Sequence, residues 1–192
     1  MFLRQTKTLT ETFIRRMAHA NLSTRLVCIS DTHSHHDFPL PDGDILIYAG
    51  DLTRRGSGVE LENVLSWLKL LTKFRWKIII AGNHDVTLDQ TFYEKSWRRF
   101  HTRKEDTQPI VDMFTDPLLR EKYGIIYLQD QTFIDPQSQL KFYGRCVFDQ
   151  MNIEFVESDL VFLVHGNRNS VRGHSMFNVK VKECVQYGIK FH

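Results

Sequence analysis

The sequence predicts an α/β fold in which two packed β-sheets are flanked by helices. Three short apolar runs near the start of the chain each give way to polar residues, which is typical of strands buried on both faces. An amphipathic helix lies between the second and third runs, which indicates a mostly parallel sheet with a helical crossover. A later series of apolar runs at short intervals indicates a second sheet, antiparallel where its connections are short.

The first half of the chain supplies the strands and the helix of the parallel sheet. The strands are predicted at residues 26–30, 45–49 and 78–81, which are rich in Ile, Val and Leu. The helix is predicted over 59–73, because leucine and valine recur there at spacings of three and four. The resulting order is strand, loop, strand, helix, strand.

The next region is predicted to be helical and then to enter the second sheet. Residues 91–123 are mostly polar, with single apolar residues at intervals. A helix is predicted to begin near Pro109, and the Asp116-Pro117 pair interrupts or restarts it. Further strands are expected at residues 125–128, 132–134 and 140–143, which we assign to the second set. One more buried strand is expected over 159–164, just before a His-Gly pair.

Composition excludes several functional classes. The 192 residues fit one domain, which we place at 25–192 with a divergent tail after about 144, preceded by an extension at 1–24. A net charge of +2 gives no strong nucleic-acid signal, and no apolar run is long enough to cross a membrane. Three scattered cysteines favour a reducing, cytoplasmic location. A mitochondrial presequence is the alternative, since residues 1–20 are basic and amphipathic.

Polar side chains follow each of the first three strands. They are Asp31 and His33, then Asp51, then the 83–85 run Asn-His-Asp. Because carboxyl ends of parallel strands share one edge of a sheet, these residues are expected to converge. Carboxylates mixed with imidazole suit Mn²⁺, Fe or Zn²⁺, and one carboxylate can bridge two cations. The alternative is ordinary turn chemistry of Asp and Asn, but three such motifs in order favour a metal site.

These three motifs resemble those of the calcineurin-like metallophosphoesterases. The stretches 25–34 and 79–85 further resemble the subgroup of metallophosphoesterase domain-containing proteins, and the likeness extends from residue 25 to about 144. The resemblance implies a sandwich of two sheets, two divalent metal ions and a small phosphoester substrate. It points to a phosphodiester, such as a cyclic nucleotide, hydrolysed by a metal-bound hydroxide.

The resemblance also implies a role for each motif residue. Asp31 and His33 would bind the first metal ion, Asp51 would bridge both, and Asn83 would bind the second. His84 would donate a hydrogen bond to a phosphate oxygen or protonate the leaving group, and Asp85 would favour its charged form.

The later part of the chain departs from the family pattern. His165-Gly166 resembles the pair that supplies a ligand to the second metal ion, and His174 is the remaining candidate ligand. Met176 stands where a further histidine is expected, so we expect the second half of the fold to be incomplete. Two hypotheses follow: a binuclear phosphoesterase, or a truncated, weakly active or inactive remnant that binds metal or nucleotide. The oligomeric state is left open.

Overall fold

The computed structural model describes residues 24–147, 160–166 and 188–189, and these residues form two sheets. The five strands of the first sheet are β1 (Leu26–Ile29), β2 (Ile45–Ala49), β3 (Trp76–Ile80), β4 (Ile125–Tyr127) and β8 (Gly188–Ile189). The three strands of the second are β5 (Gln131–Ile134), β6 (Lys141–Val147) and β7 (Leu160–Gly166). The predicted two-sheet α/β architecture is therefore confirmed.

The first sheet is parallel, in the order β4-β3-β2-β1-β8. Strands β1 and β2 are buried along their whole length, which matches their continuous apolar composition. The crossover between β2 and β3 is helix α1 (Gly58–Leu70), which starts at a capping box formed by Ser57 and Glu60. The helix ends three residues before the predicted limit, because Leu71 leaves the helical conformation.

Three short helices follow β3: α2 (Gln90–Ser96), α3 (Thr107–Thr115) and α4 (Pro117–Tyr123). An aspartate caps the first turn of each, at positions 89, 106 and 116. Pro117 occupies the first turn of α4, as predicted from the Asp-Pro pair. Within the described residues, no helix is long and apolar enough to cross a membrane.

The assignment of residues 125–128 to the second sheet is wrong. Strand β4 pairs in parallel with β3 of the first sheet, and Lys77 N–H donates to the Gly124 carbonyl at 2.7 Å where the pairing begins. Helix α4 directly precedes β4 and returns the chain along the sheet, so that β4 can run parallel to β3. The antiparallel pairing of β5 with β6 is confirmed, whereas β7 joins β6 in parallel and runs to Gly166, so that it includes His165.

The two sheets pack through an apolar layer of Ile78, Ile80, Phe133 and Phe142. At Gly144 the sheets approach so closely that a Cβ would lie 2.6 Å from Ile80 Cγ2. The opposite face of the parallel sheet is covered by α1, α3 and α4. The edge at the carboxyl ends of β1, β2 and β3 carries the loops that hold the predicted motifs.

Candidate active site

The loops after β1 and β2 are joined by backbone hydrogen bonds. Asp31 N–H donates to the Gly50 carbonyl, and His33 N–H donates to the Asp51 carbonyl, both at 3.1 Å. Because β1 and β2 are parallel neighbours, both loops leave the sheet at the same edge. The first two predicted motifs are therefore brought together by direct contact.

Backbone strain is concentrated in these two loops. Six non-glycine residues in the described part of the chain have positive φ, and four of them are here: Asp31 at 57°, His33 at 47°, Ser34 at 65° and Asp51 at 51°. This left-handed conformation is unfavourable for residues with a Cβ. Such strain clusters at functional sites, where the surrounding contacts hold it in place.

Three of the predicted residues form a compact cluster of potential metal ligands. One ligand atom each from His33, Asp51 and His84 lies within 4.8 Å of the others. His33 Nε2 is 3.9 Å from Asp51 Oδ2, and the two imidazole rings meet edge to face with centroids 4.6 Å apart. Asp51 is 4% exposed, so its carboxylate faces this cluster in a setting of low dielectric constant.

Backbone carbonyls orient both imidazoles. His33 Nδ1 lies 3.2 Å from the Thr53 carbonyl oxygen, and His84 Nδ1 lies 2.8 Å from the Arg54 carbonyl oxygen. A carbonyl oxygen can only accept, so each Nδ1 carries the proton. In the neutral ring Nε2 then keeps a lone pair, which is the arrangement usual for metal-binding histidines.

These donors fit a divalent cation. The His33 imidazole nitrogen, which keeps a lone pair, and the buried Asp51 carboxylate match the ligand preferences of Mn²⁺, Fe or Zn²⁺. His84 Nε2 can act as a third ligand when it is unprotonated, or donate to a bound anion when it is protonated. The carboxylate and His33 come from neighbouring parallel strands, and their loops are fixed to one another, so little ordering is needed on binding. The cluster can hold a cation, and through it an anionic group such as a phosphate.

Asp85 links the loop after β3 to the loop after β2. Its carboxylate is fully buried and accepts from the backbone N–H groups of Leu52, Thr53 and Gly82, and from the Thr53 hydroxyl. Burial raises its pKa to about 6, although these hydrogen bonds favour the charged form. The Asp85 carboxylate is therefore bound to Leu52, Thr53 and Gly82, and the His84 ring to the Arg54 carbonyl. The predicted effect of Asp85 on the charge of His84 stays a prediction.

Gly82 allows the loop after β3 to approach Asp51. A Cβ at this position would lie 2.0 Å from Asp51 N and 2.3 Å from Asp51 Oδ1. The same loop also binds Asp51 by a hydrogen bond, since His84 N–H donates to Asp51 Oδ1 at 3.0 Å. The predicted convergence of the second and third motifs therefore depends on a residue without a side chain.

The other predicted ligands have different positions. Asp31 Oδ2 accepts from the Ser30 hydroxyl at 2.5 Å, and Asp31 lies outside the three-residue cluster. Asn83 is half-buried in the loop between Gly82 and His84. His165 is placed by its backbone in β7, in register with Cys146, and His174 lies outside the described residues. Metal binding by these four residues stays a prediction.

The carbonyls of Thr53 and Arg54 are functional groups that sequence reasoning missed. Every residue has a backbone carbonyl, so nothing in the sequence distinguishes these two. In the loop after β1, the ring of His36 stacks on Trp67 with ring centroids 4.7 Å apart. Desolvation, followed by the neighbouring His35, lowers the pKa of His36.

Comparisons with known proteins show what this chain is similar to. A family model described as calcineurin-like phosphoesterase matches residues 24–187. Metallophosphoesterase domain-containing protein 1 of Homo sapiens, like that of Mus musculus, is 50% identical over 70 residues, which are 36% of this chain and 21% of the relative. A probable rhamnogalacturonate lyase C of Emericella nidulans is 49% identical over 82 residues, 43% of this chain and 8% of that protein. The matched stretches thus cover about a fifth or less of these relatives.

Proposed function

This chain belongs to the calcineurin-like phosphoesterase family, and we propose that it hydrolyses a phosphoester with the help of bound divalent metal ions. The observation that carries the proposal is the cluster of His33, Asp51 and His84 at the carboxyl edge of the parallel sheet. Its three residues come from three separate motifs, and two of them have strained backbones. Asp and His tolerate positive φ in ordinary turns, so the convergence of three motifs is the stronger of the two observations.

The finer proposal is a pair of cations and a phosphodiester substrate, such as a cyclic nucleotide. His33 and Asp51 would hold metal from the observed cluster, and Asp31, Asn83, His165 and His174 are the further ligands that we propose. When bound, such cations offset the charge of a phosphate and lower the pKa of water. A cytoplasmic location, favoured by the scattered cysteines, stays part of this proposal.

His84 is proposed as the group that contacts the substrate phosphate. Its Nδ1–H is fixed by the Arg54 carbonyl, so a second proton can be carried only on Nε2. In that cationic form Nε2–H would donate to a phosphate oxygen or to the leaving oxygen. Neutral His84 would lack this donor, so the proposed role requires the charged ring.

Metal binding and turnover test the proposal together. Calorimetric titration of the 192-residue chain with Mn²⁺ is expected to show binding, with hydrolysis of bis-p-nitrophenyl phosphate in the same preparation. Asp51→Asn is expected to lower metal affinity by tenfold or more, whereas Glu121→Gln, an exposed carboxylate on α4, should not change it. Binding without turnover would instead support the inactive-remnant hypothesis. Absence of metal binding contradicts the phosphoesterase hypothesis and leaves only a remnant that binds nucleotide.

His84→Ala separates catalysis from metal binding. Loss of a positioned acid is expected to lower kcat by about 10²–10⁴ while metal content stays the same. Metal content is measured on the purified variant by atomic emission, beside the Glu121→Gln control. Loss of metal in His84→Ala would identify His84 as a ligand and contradict its assignment to the phosphate.

A further inference from the structure

His101 lies in a chain of hydrogen bonds that leads to the loop around the proposed site. The chain begins at the backbone N–H of Glu105, which donates to the Tyr93 hydroxyl at 3.0 Å. The Tyr93 oxygen is 2.6 Å from His101 Nδ1, and His101 Nε2 is 3.0 Å from the Arg55 carbonyl oxygen. Tyr93 is fully buried, so the chain is anchored in the protein interior.

The direction of each bond follows from the chemistry of the partners. The Arg55 carbonyl can only accept, so His101 Nε2 carries a proton. In the neutral ring His101 Nδ1 is then an acceptor, and it receives the proton of the Tyr93 hydroxyl. The Glu105 N–H fills an acceptor position on the same hydroxyl oxygen. The neutral network therefore has one consistent arrangement of protons, with His101 donating to Arg55.

The carbonyl that His101 holds is next to the carbonyl that holds His84. Arg54 and Arg55 are consecutive, and their carbonyl oxygens each face one histidine ring. The following residue, Gly56, has φ of 72° and a Cβ there would lie 2.8 Å from the His84 carbonyl oxygen. This short backbone segment is thus packed against the loop that carries His84, and the two carbonyls belong to adjacent peptide groups.

We propose that His101 is a positioning residue for His84. By holding the Arg55 carbonyl it sets the place of the Arg54 carbonyl, and thereby the orientation and tautomer of the His84 ring. The effect on turnover rests on the proposed function, but the effect on the tautomer does not. His101 acts through the backbone and has no contact with the reacting groups in this scheme.

The tautomer of His84 is the direct test, measured by long-range ¹H–¹⁵N correlation on the metal-free chain. The same spectra report whether the ring is neutral, and in its neutral form the unaltered chain is expected to show His84 protonated on Nδ1. His101→Leu should shift His84 toward a mixture that includes the Nε2–H form. His101→Gln should restore the original state, because its carboxamide can accept from Tyr93 and donate to Arg55. Thr102→Ala, an exposed neighbour, is the matched control.

Turnover provides the second readout. His101→Leu is expected to lower kcat by about tenfold with little change in KM, as for other partners that orient a functional histidine. Tyr93→Phe removes the hydroxyl that contacts His101 but keeps the ring, and a smaller decrease of kcat is expected. If His101→Leu fails to fold, Tyr93→Phe replaces it in both measurements. An unchanged His84 tautomer in both variants overturns the proposal. A shifted tautomer in a chain without phosphoesterase activity supports the positioning role and contradicts the proposed function alone.

Discussion

Gly82→Ala is expected to disable the site by displacing Asp51. The added Cβ would be 2.0 Å from Asp51 N, 2.3 Å from its Oδ1 and 2.8 Å from its Cα. Ordinary contact begins at about 3.4 Å, so the two loops must separate by more than 1 Å. The obstructing atoms include backbone, which cannot rotate away as the tip of a flexible side chain can.

The expected magnitudes follow from that displacement. Overpacking of this kind costs about 1–3 kcal/mol of the free energy of unfolding. A misplacement of about 1 Å at reacting groups can lower the rate by roughly 100-fold. The separation also strains the hydrogen bond from His84 N–H to Asp51 Oδ1, so both the ligand and its neighbour are affected.

The assay combines Mn²⁺ calorimetry, bis-p-nitrophenyl phosphate hydrolysis and urea unfolding. Gly43→Ala is the matched control, because its Cβ would meet the Val27 side chain at 2.5 Å, away from the ligand cluster. We expect Gly43→Ala to lose some stability but to keep metal affinity and kcat. If Gly82→Ala kept both within twofold of the unaltered chain, the inferred dependence of the Asp51 position on Gly82 would be refuted.

Three further predictions concern stability. Burial opposes the charge of Asp135, but hydrogen bonds from Arg75 and from the turn outweigh it and hold the pKa of Asp135 well below the usual range. As pH falls below about 4, the free energy of unfolding should therefore decrease less steeply in Asp135→Asn than in the unaltered chain. An equal decrease in both proteins contradicts this. Desolvation lowers the pKa of buried Lys77 to about 8, so the folded chain binds fewer protons than the unfolded chain between about pH 8 and 10. The free energy of unfolding, measured with urea, should therefore rise with pH over that window. The rise should be smaller in Lys77→Met. Ser57→Ala removes the capping box of α1 and should cost about 1 kcal/mol in the same assay, whereas an unchanged midpoint would show that the cap contributes nothing.

Elements defined by local patterns were predictable from the sequence. The three central strands have continuous apolar runs, and the Asp-Pro pair marks the start of α4, so neither depends on distant contacts. The placement of β4 could not be predicted in this way. Its sequence is compatible with either sheet, and the choice is made by α4 and by the pairing of β4 with β3.

The candidate site was predictable only in its side chains. His33, Asp51 and His84 follow strand ends, and parallel order brings those ends together. The Thr53 and Arg54 carbonyls, which set the tautomers of His33 and His84, could not be predicted, because every position in the chain has a peptide carbonyl. His101 was likewise hidden, since it lies 17 residues beyond His84 and reaches the site through the backbone of another loop.

The left-handed residues around the site create a conflict between robustness and activity. Glycine adopts positive φ without steric cost, whereas each residue with a Cβ loses about 1 kcal/mol or more there. Laboratory evolution that selects only for heat resistance is therefore expected to favour glycine at Asp31, His33, Ser34 or Asp51. At the three acidic or imidazole positions such a gain would remove a candidate ligand. A screen for a hardier variant of this chain should accordingly score turnover in every round.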